Sequence, residues 1–198
     1  MKTIIKTLFI ALAVAGLSAC ATIKDPTVFS EKKEAFSPER VKKVLVVIDI
    51  GLEADKLPSG FAASKTENAK RMYDPLGQAM TAEVKKTGAD ADYQLHMTQA
   101  TLAIPAGYSH VWIQKLDRFV HTTGSAGSYV SNRIWKATII QWRPEAPTAE
   151  KFKVVFRSEY EADGPRCFMP NTFPNKDECQ KNYLGTVVSQ WQKTGLKP

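Results

Sequence analysis

The run Lys43-Val44-Leu45-Val46-Val47-Ile48-Asp49-Ile50 constrains the fold more than any other stretch of the chain. Its apolar, mostly β-branched residues are consecutive rather than alternating with polar ones. That pattern describes a strand buried on both faces near the centre of a sheet. Gly51 and then Pro58-Ser59-Gly60 end it through a loop. A run of this kind also precedes nucleotide-binding turns. Neither G-x-G-x-x-G nor G-x-x-x-x-G-K follows here, so that use is excluded.

A helix comes next, with two possible starts. Ser64-Lys65-Thr66-Glu67 has the spacing of a capping box, and Asp74-Pro75 pairs a cap with a proline at the first helical position. Ala69, Met72, Leu76, Ala79, Met80 and Val84 recur at three and four, which allows one kinked helix; Lys85-Lys86 and Gly88 close it. Asp90 to Met97 opens a second strand. His110 to Gln114 and Arg118 to His121 suggest another extended segment, blurred by Leu116-Asp117. Thr123-Gly124-Ser125-Ala126-Gly127-Ser128 reads as a hairpin tip between that segment and a long strand from Tyr129 to Trp142. Phe152, Val154, Phe156, Ser158 and Tyr160 then alternate with Lys153, Val155, Arg157 and Glu159, as in an antiparallel strand with one wet face. A last helix runs from about Asp177 to Thr194, with Asn175 as a cap, Gly195 as a stop, and Tyr183, Leu184, Val187, Val188 and Trp191 as its buried stripe. This order predicts an α+β fold: a mostly antiparallel sheet of about four to five strands with two helices packed on one side.

The N-terminus concerns location. Lys2 and Lys6 precede the apolar Leu8 to Ala15, too short a run for a spanning helix but the right architecture for a secretory signal. Leu17-Ser18-Ala19-Cys20 then resembles the lipobox of bacterial lipoproteins. The resemblance implies removal of residues 1–19, a diacylglycerol thioether on Cys20, and fatty acylation (palmitate) of the new N-terminus. Each buried methylene contributes about 0.8 kcal/mol, so several chains together hold a protein on a membrane. Ordinary cleavage after Ala19-Cys20-Ala21 is the competing reading and would release the protein. Ala21, where an Asp would favour retention in the inner membrane, favours the periplasmic face of the outer one. Residues 20–40, polar and punctuated by Pro26 and Pro38, read as a tether, and 41–198 as a single domain.

The formal net charge of +7 includes Lys2 and Lys6, and the remaining basic residues are scattered. No basic stripe interleaved with aromatics appears, and export argues against nucleic acid. With Cys20 acylated, Cys167 and Cys179 remain as an even pair in an oxidising compartment, which favours a disulfide. Zinc is the rival, but no histidine follows His121 and no C-x-x-C spacing occurs.

No catalytic, metal-binding or cofactor constellation stands out. His96, His110 and His121 are scattered, Ser109-His110 lacks a nucleophile elbow, and Asp90 with Asp92 is ordinary turn chemistry. The four tryptophans fit core packing, with Trp112 and Tyr108 the pair that could stack on a sugar or grip a peptide. In element order the domain loosely resembles small envelope lipoproteins of the TolB N-terminal-like and transport-auxiliary types. The expectation is therefore a non-enzymatic, lipid-anchored accessory that binds an envelope protein. A carrier of a small ligand or lipid is the alternative, and a hydrolase ranks third. One consequence is direct. Cys167→Ser or Cys179→Ser should lower unfolding free energy by roughly 3 kcal/mol in urea titrations, and reductant should do the same to the wild type alone.

Overall fold

The computed structural model describes residues 26–33, 40–52, 54, 64–124, 127–162, 167 and 176–196. Its strands are β1 (Thr27–Lys33), β2 (Lys43–Asp49), β3 (Asp90–His96), β4 (His110–Gly124), β5 (Gly127–Trp142) and β6 (Phe152–Glu161). They form one sheet in the order β1-β6-β5-β4-β2-β3. β2 runs parallel to both β3 and β4, whereas β4–β5, β5–β6 and β6–β1 are antiparallel. Helices α1 (Lys65–Lys86) and α2 (Lys176–Thr194) pack into one core with a single face of this sheet.

The α+β class stands, but the expected sheet is corrected: it has six strands and is mixed rather than mostly antiparallel. The added strand comes from the stretch read as a tether. Residues 27–33 pair with β6 as an edge strand, and all of them are exposed, so no burial pattern marks them in the sequence. The signal segment 1–19, Cys20, the rest of the tether and the Asn175 cap lie outside the described residues. Val41 is buried in the helix-side core, but the expected boundary between tether and domain at residue 41 is corrected by β1, which is itself a strand of the sheet.

Parallel pairing follows from how the chain leaves β3. Residues 97–109 carry it back to start β4 on the far side of β2, and parallel neighbours need a crossover of about this length. This segment also covers the sheet. Val44, Val46 and Ile48 face the helices, while Leu45 and Val47 face the other way with Val111 and Ile140, under Leu102, Ile104 and Tyr108. β2 is thus buried on both faces, although it lies one strand in from the β3 edge rather than at the middle. Full burial of each such side chain contributes about 1.5–3 kcal/mol.

α1 starts at the earlier of its two signals. Ser64 accepts from the Glu67 N–H at 3.2 Å and Glu67 Oε2 accepts from the Ser64 N–H at 2.7 Å. The helix continues through Pro75 and ends before Gly88, whose φ of +87° suits a residue without Cβ. α2 buries Tyr183, Val187, Gln190, Trp191 and Thr194, and leaves Leu184 and Val188 only partly covered. The stripe is therefore rotated toward a polar residue relative to the expected one. Between the layers, Trp112 stacks on Trp191 with centroids 5.5 Å apart, and Tyr73 meets Trp135 edge-on at 6.1 Å.

Among the four register shifts in the sheet, two alter the pattern expected from the sequence. The pattern that blurs at Leu116-Asp117 is a single strand, β4, with Asp117 as an extra residue between Leu116 and Arg118. In β6 the register shifts opposite Ile139 and Ile140. The expected unbroken alternation is corrected accordingly: Val154 packs into the outer cluster, while Val155, Phe156 and Tyr160 belong to the helix-side core.

Gly77 sits where α1 crosses β3, and a Cβ there would fall 2.4 Å from the Tyr93 ring. In an exposed helix Gly77→Ala would gain about 1 kcal/mol of propensity. Here overpacking of about 1–3 kcal/mol opposes it, so the variant should unfold at lower temperature. Adding Tyr93→Leu should recover part of that loss, read as non-additivity in a double-mutant cycle.

Candidate functional site

The residue types that often carry catalysis are placed apart and engaged structurally. Ser109 Oγ accepts from the Lys42 and Lys43 N–H groups at 3.0 and 3.2 Å and donates to the Lys43 carbonyl at 3.0 Å. It ties the start of β4 to the start of β2 and is not poised as a nucleophile. His110 is fully buried with Nδ1 3.1 Å from Ser109 Oγ, and burial pushes its pKa down to about 4. His96 closes a turn through Nε2, 3.0 Å from the Ala100 carbonyl. His121 lies on the β4–β5 hairpin beside Phe119. Among the described residues no His, Cys, Asp or Glu cluster could hold a metal ion.

Asp90 and Asp92 do not form a carboxylate pair. Asp90 accepts from the adjacent Ala91 N–H at 2.9 Å. Asp92 takes Lys43 Nζ at 2.7 Å and the Tyr108 hydroxyl at 2.8 Å, and these two bonds hold its carboxyl below the usual range. The pairing of Trp112 with Tyr108 as a ligand platform is corrected as well. Trp112 is fully buried against Trp191 on the helix side, and Tyr108 belongs to the outer cluster on the opposite face. Cys167 and Cys179 are bonded, with Cα atoms 5.7 Å apart. Cys167 is buried, and its carbonyl accepts from Gln180 Nε2 at 2.9 Å, which fastens it to the first turns of α2.

What register does bring together is a charged field on the sheet face away from the helices. Segment 97–109 covers only the β2 side of that face. On the other side Ser30, Lys32, Lys136, Thr138, Arg157 and Glu159 line an open groove of about 580 Å³. The groove exists because Lys32 pairs with Arg157, Arg157 with Thr138, and Glu159 with both Ser30 and Lys136. Its rim is an ion-pair chain: Lys136 reaches Asp117 at 2.7 Å, and Arg118 bridges Asp117 at 2.6 Å and Glu159 at 2.8 Å. Lys136, then Arg118, hold the Asp117 carboxyl below its usual range. The bulge at Asp117 puts that carboxylate within reach of both cations.

Asp117, in the rim of the groove, also lines a second cleft of about 200 Å³ at the C-terminal ends of β2 and β3, with Asp49, Thr98 and Lys115 among others. Gly51 permits it: a Cβ there would fall 2.1 Å from the Thr98 carbonyl oxygen. Asp117 and Glu159 are each paired with cations, so the groove and its rim present positive and negative charge side by side. Sequence reading misses this groove, since each of its residues looks like the wet side of a strand. Only the cross-strand register assembles them.

No family model matches the chain, and no curated protein sequence matches it. Among solved structures the chain is similar to PelC from Paraburkholderia phytofirmans, a dodecamer. One crystal form aligns over 87% of this chain and 99% of that one, at 10% identity and a TM-score of 0.37. A substituted form covers 84% and 97% with the same identity and score. Likeness at that level carries nothing across about function or assembly.

His110 makes the testable point here. Its folded pKa of about 4 lies below the ordinary 6.5, so the unfolded chain binds a proton that the folded chain refuses. Stability should fall as pH drops from about 6.5 to 4, by up to ~3 kcal/mol, in urea titrations across that window. His110→Gln should flatten this slope, while Asp92 and Asp117, with lowered pKa values, release their stabilisation only at lower pH.

Proposed function

We propose that the protein is a lipid-anchored, non-enzymatic accessory of a bacterial envelope. In this reading Cys20 holds it at the periplasmic face of the outer membrane, and its open sheet face binds an envelope protein. The lipobox-like Leu17-Ser18-Ala19-Cys20 supports the anchor. One observation carries the binding role: among the described residues the outer sheet face is covered by the chain's own segment on its apolar side and left open, grooved and charged on the other. Surfaces of this composition suit protein partners through complementary charge, which sets specificity and encounter rate more than bulk affinity.

The carrier reading needs an apolar cavity of several hundred cubic ångströms between sheet and helices. That interface is filled by Trp112, Trp135, Trp191, Tyr73 and Tyr160, each buried, which favours the accessory.

A photo-crosslinking amino acid placed at Thr138 or Arg157 in the acylated protein, in intact envelopes, should capture one defined protein. The same probe at Lys70, exposed on α1, should not. Capture from the Thr138 probe should fall roughly fivefold in an Arg157→Glu background that folds normally, the scale of about 1 kcal/mol for a solvent-exposed charge contact. Cys20→Ala should abolish acylation by intact mass and reduce capture. Equal adducts from Lys70, or none from either groove position, would sink the proposal.

A further inference from the structure

We infer that β1 docks onto an anionic phospholipid surface. Val28 is 41% and Phe29 53% exposed, so two of the four strongly exposed large apolar residues among the described residues are neighbours in this strand. Lys32 and Lys33 follow in the same strand, both exposed. Glu31, which would repel an anionic surface, is paired with Lys193. An apolar pair with adjacent lysines fits a membrane interface, where apolar side chains enter the headgroup boundary and ammonium groups remain among phosphates.

The nature of the edge narrows the occupant. The register of β1 shifts between Val28 and Ser30, which leaves Phe29 as a bulged residue on the free edge. A bulge and paired lysines are devices that discourage addition of another strand. Exposure of Phe29 therefore does not read as a template for β-pairing. Chain length points the same way and rests on the anchoring reading above. Thr27 is seven residues after Cys20, a span of about 25 Å at most when extended. A lipid on Cys20 thus holds this edge close to the headgroups and makes even weak contact effectively intramolecular.

The test uses the full acylated protein in vesicles, after intact mass has established whether Cys20 carries its lipid. Amide exchange of residues 27–33 is compared between vesicles containing phosphatidylglycerol and vesicles of phosphatidylcholine alone. Exchange should be at least about fivefold slower on the anionic vesicles, and the difference should shrink as salt is raised. Phe29→Ser, and separately Lys32→Glu with Lys33→Glu, should abolish the difference. Phe152→Ser should leave it intact, since Phe152 is 52% exposed but lies beyond the last β1 pair, Lys33 with Phe156. An acylated protein whose β1 exchanges equally on both vesicles overturns the docking inference and leaves the anchor standing. A protein without acyl groups overturns both. Protection that rises with protein density on neutral vesicles would assign this edge to a second copy and likewise overturn it.

Discussion

The need of β2 for cover on both faces organises the molecule. A strand that is apolar at five consecutive positions from Val44 to Ile48 cannot leave either side to water. Helices α1 and α2 serve one side, and the irregular segment 97–109 serves the other through Leu102, Ile104 and Tyr108. Because that segment must cross the sheet to do so, β4 starts again at the same end as β2 and the pair is parallel. β5 and β6 follow by antiparallel hairpin-like returns, β1 adds to the far side of β6, and among the described residues the outer face beyond the segment's reach stays open. One burial requirement therefore sets the mixed topology and the position of the groove.

A buried polar set sits within this packing. The Tyr160 hydroxyl donates to Gln114 Oε1 at 2.9 Å, and Gln114 Nε2 donates to Gln190 Oε1 at 2.5 Å. These residues join β6, β4 and α2, and all are almost fully buried. Burying an amide without a partner is costly, so the set restrains how α2 seats on the sheet. It specifies one arrangement among those that apolar contacts alone would accept.

Local signals in the sequence were legible where one element determined them. β2, the Ser64–Glu67 capping box and the tip between β4 and β5 each declare themselves within a few residues. The blur at Leu116-Asp117 marks a bulge that periodicity does not reveal as one. What remained hidden depends on partners far along the chain. β1 buries nothing, so its strand character comes wholly from pairing with β6. Gln114 and Gln190 look like surface residues until they meet in the core. The groove likewise mixes residues from β1, β5 and β6 that alternate innocuously in sequence and acquire meaning only through register.

The closure of the sheet by β1 has a kinetic side. β1 pairs with a strand near the other end of the chain, and its Glu31 contacts Lys193 across 162 residues. Contacts of such separation demand loop closure before they contribute anything in return, which slows folding. A chain emerging N-terminus first must hold residues 27–33 unpaired until β6 has appeared. Until the two pair, the N-terminal segment is an unpaired strand in waiting, and the edge of β6 lacks its neighbour.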